Sequence, residues 1–135
     1  MAYVGQPVPS TVVNINAAKV SDGKSVRVTV PGNTVIEAGK FYLLDGFLGV
    51  AFQSVTTGSG QTAEVILNIE QAEYETDQID TSQTFAKGTL IYWNAAGKRF
   101  TENAAEGNRL AGRVTQAKKD NNNVICFILG PQVVA

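Results

Sequence analysis

Residues Lys87 to Thr101 read KGTLIYWNAAGKRFT, an apolar run broken by a small-residue turn and followed by a second short run. Gly88 opens the first run, β-branched and aromatic side chains fill it as far as Trp93, and Asn94-Ala95-Ala96-Gly97 ends it. Such side chains suit a pleated, half-buried surface, and Asn and Gly supply the backbone conformations of a tight reversal. The stretch therefore reads as strand, turn, strand.

The same grammar extends outward in both directions. Turn signals recur at Asp22-Gly23, Pro31-Gly32-Asn33, Ala38-Gly39, Asp45-Gly46, Gly58-Ser59-Gly60, Gly107-Asn108, Asn121-Asn122-Asn123 and Gly130-Pro131, a spacing that suits short strands. Between them lie SVRVTV, KFYLL, FLGVAFQSV, AEVILNIE, RLAGRVTQA and NVICFIL. In SVRVTV the valines at 26, 28 and 30 alternate with Arg27 and Thr29, the mark of a half-buried strand. No window sustains an apolar period of 3.6 residues, and a short helical turn over 101–106 is the most the pattern allows. The fold class is all-β, a small compact sandwich or barrel-like domain.

Two halves echo one another: AGKFYLL, FLGVAFQS and AEVILNIE are matched in order by AKGTLIYW, RLAGRVTQA and NVICFIL. Asp45-Gly46 is a hairpin signal in the first half, and residues 94–108 form a longer excursion in the second. The acidic stretch EQAEYETDQID between them reads as a solvated connection, since it lacks the spacing of a calcium loop. Ahead of the repeat, the first charged side chain is Lys19, and Pro7 and Pro9 disfavour regular ladder pairing. Residues 1–24 are expected to be an extended N-terminal arm and residues 25–135 the β-rich domain.

Composition narrows the function. The 135 residues carry 11 basic and 12 acidic groups and no histidine. A net charge of −1 gives no global attraction to nucleic acid or an anionic membrane surface. The charge is unevenly spread: residues 1–80 hold 4 basic and 9 acidic groups, and residues 81–135 hold 7 and 3. Without histidine the commonest general base and metal ligand are missing. There is neither an apolar run of about 18 residues nor the pattern of a secretion signal, so neither membrane nor nucleic acid is an expected partner.

Individual motifs give little chemistry. TTGSGQT has Val55 and Gln61 where a phosphate loop needs Gly and Lys, and a strand-like segment follows it. Cys126, the single cysteine, sits in the unbroken run VICFIL, expected to be buried on both faces as packing. No catalytic, cofactor or metal site is expected. Tyr92 and Trp93 would suit a core or subunit-interface position, or would stack on a sugar.

KGTLIYWNAAGKRFT, followed by NRLAGRVTQA and NVICFILG, resembles the small capsid decoration, or cement, proteins of tailed bacteriophages. The resemblance rests on Gly88, Tyr92, Trp93, Asn94, Gly97, Thr101, Asn108, Leu110, Gly112 and Val114, and upstream on Gly39, Leu48, Gly49, Val50 and Ala51. It covers roughly residues 26–129 and departs from the family pattern at Arg113 and in the acidic stretch 70–80. It implies a non-enzymatic protein of the virion, made in the host cytoplasm, that binds the major capsid protein on the outside of an assembled head. Such proteins commonly act as homotrimers. On this reading Val12, Val13 and Ile15 of the arm contact the shell, unless the arm pairs with its own domain or a sister copy. Tyr92, Trp93, Arg109 and Arg113 are the candidate subunit interface. The rivals are a head-fibre base or carbohydrate-binding module using Tyr92 and Trp93, and a small hydrolase built on carboxylates.

Overall fold

Leu44 pairs with Phe47 across a two-residue loop, Asp45-Gly46, in the computed structural model, which describes residues 19–105, 107–119 and 122–134. Both loop residues have positive φ, 52° and 84°, the type I′ geometry whose twist matches that of its flanking strands. Asp45 also caps a neighbour, its Oδ2 accepting the Thr29 amide at 2.8 Å. The arm residues Val12, Val13 and Ile15 lie outside the described residues.

The strands are β1 (Ser25–Val30), β2 (Val35–Ile36), β3 (Phe41–Leu44), β4 (Phe47–Ala51), β5 (Val55–Thr56), β6 (Ala63–Asn68), β7 (Glu73–Thr76), β8 (Leu90–Asn94), β9 (Arg99–Thr101), β10 (Arg109–Gln116) and β11 (Ile125–Leu129). No helix occurs among the described residues, so the protein is all-β. One sheet has the order β1-β6-β4-β3, the second β7-β11-β10-β8-β9, and a two-stranded sheet joins β2 to β5. In both large sheets a meander of three strands is joined at its last member by the strand that precedes it in sequence. This is a Greek-key order.

Two cores follow from the alternation. Phe41 and Leu48 leave one face of the β3–β4 hairpin and pack with Ile91, Trp93, Phe100, Phe127 and Leu129 of the five-stranded sheet. Phe100 is the hub, with ring centroids 4.9 Å from Trp93, 5.2 Å from Phe41 and 4.8 Å from Phe127. Its rings meet those of Trp93 and Phe41 edge-to-face, an arrangement aromatic quadrupoles favour. On the opposite face of the four-stranded sheet, Val28, Val30, Ala51, Val65 and Leu67 form a second core with Ile36. The sheet curls around it.

Three expectations are corrected. The acidic stretch is not merely a connection: Glu73 to Thr76 form the edge strand β7, pairing with β11, with Tyr74 and Thr76 turned inward and the two glutamates exposed. Outward carboxylates on an edge strand discourage pairing with another chain. The run VICFIL is not buried on both faces: Ile125, Phe127 and Leu129 point into the core, Ile128 is exposed and Cys126 half-buried. The helical turn over 101–106 is absent among the described residues, because Thr101 and Asn103 use their side chains on the backbone. Thr101 Oγ1 accepts the Asn103 amide at 3.1 Å, and Asn103 Oδ1 accepts the Ala105 amide at 2.9 Å. Such bonds compete with helix.

Candidate functional site

Among the described residues, the outer face of the five-stranded sheet, turned away from both cores, carries a cluster of exposed aliphatic side chains. Register sets its composition. Arg113 of β10 lies opposite both Leu90 of β8 and Ile128 of β11, and Ile128 lies opposite Glu73 of β7. One cross-strand row therefore runs Glu73, Ile128, Arg113, Leu90. In the next row Leu110 lies opposite Tyr92. Leu90, Leu110 and Ile128 are 38, 41 and 48 % exposed, high values for large aliphatic side chains clustered on adjacent strands.

These side chains share a face because β10 is irregular. Its pairing with β8 slips between Leu110 and Gly112, and its pairing with β11 slips between Val114 and Gln116. Each bulge adds a residue, so Leu110, Arg113 and Gln116 point outward while Ala111 and Val114 point inward, a period of three instead of two. Gly112 makes the close approach possible: a Cβ there would collide with the Ile128 carbonyl. Above it lies an open depression of about 220 Å³ between Leu90, Leu110, Ile128, Gly130, Pro131 and Val134, with an almost wholly apolar lining. Arg113 edges it, its Nη1 donating to the Gly88 carbonyl at 2.8 Å. Outside the depression, Thr115 Oγ1 donates to Glu73 Oε2 at 2.6 Å.

The four candidate interface residues separate. Tyr92 and Arg113 lie on this face. Trp93 does not: it points inward at 2 % exposure, which removes it from any partner surface and leaves a sugar-binding reading with Tyr92 alone. Arg109, opposite Trp93, also turns inward and bridges the two sheets. It donates to the Gly46 carbonyl and, through Nη2, to the backbone and side-chain oxygens of Gln132 at 3.0 and 3.1 Å. Burial pulls its pKa below the usual value. Leu90 and Ile128 are hidden in the sequence by sitting in continuous apolar runs, and Leu110 by the bulges of β10. Counting by two from buried Trp93 or Phe127 would have turned Tyr92 and Ile128 outward.

No group of three or more His, Cys, Asp or Glu among the described residues is placed to hold a metal ion. The sequence model of the phage cement protein family matches residues 20–129, a span that takes in both large sheets. This chain belongs to that family, whose members are structural, capsid-associated proteins. No curated protein and no solved structure matches it.

Proposed function

We propose that this protein binds the outer surface of an assembled phage head, contacts its major capsid protein and stabilises the shell, acting as a homotrimer. The observation that carries this reading is the family match over residues 20–129. The physical character of the domain supports it. A cement protein must transmit load between neighbouring capsomers without deforming, and here two sheets share an aromatic core and are further joined by Arg109. The excess of acid in residues 1–80 and of base in 81–135 favours head-to-tail contacts between copies, which close into a ring. The protein is synthesised in the host cytoplasm and joins the head there.

The test is to mix purified protein with mature heads that lack it. Binding should saturate at a ratio fixed by the capsid lattice, and decorated heads should resist heat better than bare ones. Failure to co-sediment, or uptake without saturation, would overturn the reading.

A further inference from the structure

We propose that the uncharged N-terminal segment, residues 1–18, seats in the apolar depression on the outer face of the five-stranded sheet of its own chain. The chemistry of the two surfaces matches. The segment has no charged side chain and carries Val4, Val8, Val12, Val13 and Ile15 with Pro7 and Pro9. The depression is lined by Leu90, Leu110, Ile128, Pro131 and Val134, with almost no polar surface, and Arg113 at its edge turns Nη1 to the Gly88 carbonyl. A strongly polar occupant would lose hydration against these aliphatic side chains, with Arg113 the one charged side chain lining the depression.

The mode of contact also matches. β8, β10 and β11 are each paired on both sides, so this face offers side chains and no free strand edge. An added strand would leave its own amides unsatisfied against it. Proline brings an apolar ring and no N–H, so a segment with prolines at 7 and 9 lies on such a face at less polar cost.

Reach and exit are both adequate. The Lys24 carbonyl accepts the Ile69 amide at 2.9 Å, and three residues further on the Ala72 carbonyl accepts the Leu129 amide at 3.1 Å. The chain thus enters β1 next to the β6–β7 connection, which in turn meets the end of β11, where Ile128 and Gly130 border the depression. Eighteen extended residues span up to about 60 Å, and tethering gives the docked state a high effective concentration.

The experiment uses the free full-length protein, so its outcome is independent of head binding. A photo-crosslinking residue replaces Leu110, and isotopically light and heavy protein are mixed before irradiation. Crosslinks from position 110 into residues 1–18 of the same chain are expected. Crosslinks that avoid 1–18, or that join light to heavy chains, overturn the proposal. In parallel, thermolysin cleavage within residues 1–18 should accelerate roughly tenfold in Ile128→Asp and in Leu110→Asp, as the undocked population grows. Unchanged cleavage in variants that melt cooperatively also overturns it.

Discussion

The side-chain amide of Gln132 holds both main-chain groups of Leu48: Nε2 donates to the Leu48 carbonyl at 2.9 Å, and Oε1 accepts the Leu48 amide at 2.9 Å. On the opposite edge of the same hairpin Gln78 does the same for Phe41, accepting its amide at 2.7 Å and donating to its carbonyl at 2.9 Å. A primary amide presents an N–H and a C=O side by side, as one residue of a strand does, so each glutamine stands in for a neighbouring strand. β6 pairs with β4 only at Val50 and Ala51, which leaves Leu48 to Gln132.

Removing either clamp should therefore cost more than an ordinary surface substitution. Gln132→Ala and Gln78→Ala each strip a partly buried N–H and C=O of their partners, for a loss of about 2 kcal/mol and several degrees in melting temperature. Gln78→Glu should be no better, since a carboxylate accepts from the amide and is repelled by the carbonyl. Thermal denaturation followed by circular dichroism checks this, and a wild-type melt for Gln78→Glu would refute it.

Gly49 and Gly112 occupy matching places in the two meanders, and a Cβ on either would collide with a carbonyl of the adjacent strand, that of Asn68 or Ile128. Backbone cannot step aside without breaking the ladder. Gly49→Ala and Gly112→Ala should each destabilise by about 3 kcal/mol or more, enough to reduce soluble yield. Gly88 has a positive φ of 91° but open space around it, so Gly88→Ala should cost less, about 1–2 kcal/mol of backbone strain. Urea midpoints for the three variants should preserve that order.

The strand framework was legible because its signals are local. Asp45-Gly46 dictates a hairpin by itself, and SVRVTV shows its buried face by alternation. What stayed hidden depends on partners far away in sequence. Nothing in YETDQID marks Gln78 as the closing rung on Phe41, and Glu73 and Glu75 made an edge strand look like a solvated loop. In RLAGRVTQA the two bulges replace a period of two by one of three, so the outward set Leu110 and Arg113 cannot be found by counting. The aromatic that looked most available, Trp93, is buried because Phe100 returns beside it on β9.

Cys126 follows from its corrected position. Its side chain lies on the outer face of β11 opposite Glu75, and burial together with the Glu75 and Glu73 carboxylates raises the thiol pKa above the usual value. Thiolate is the reactive form, so a disulfide reagent at neutral pH should modify native Cys126 more slowly than a free thiol. The rate should rise with pH and, as the carboxylates are screened, with salt. Cys126→Ser should lower stability by less than about 1 kcal/mol, because the site is only half-buried. A loss of several kcal/mol would return Cys126 to the core.

Asp77 and Gln78 both tie the segment after β7 to the start of β3, and their relative importance can be set in advance. Lys40 Nζ lies 2.8 Å from Asp77 Oδ1, with side-chain exposures of 37 and 56 %. The hydrogen bond from Lys40 lowers the Asp77 pKa from its usual 3.8, against a smaller opposing effect of burial, and the same bond raises Lys40 above 10.5. A depressed carboxylate contributes stability that is present above 3.8 and is lost as pH falls through the lowered value. A raised amine contributes stability that is complete below 10.5 and is lost as pH rises through the raised value. The pair thus stabilises across the neutral range, but water and salt screen it to about 0.5 kcal/mol. Asp77→Asn should lower the melting temperature by about 1–2 °C at pH 7, and the gap should close in acid below the lowered pKa and shrink in high salt. Gln78→Ala, one residue along, should cost several times more and show neither dependence, since its two bonds are neutral and shielded. Equal losses for the two variants at pH 7 would mean that the ion pair, and not the amide clamp, fixes this edge of β3.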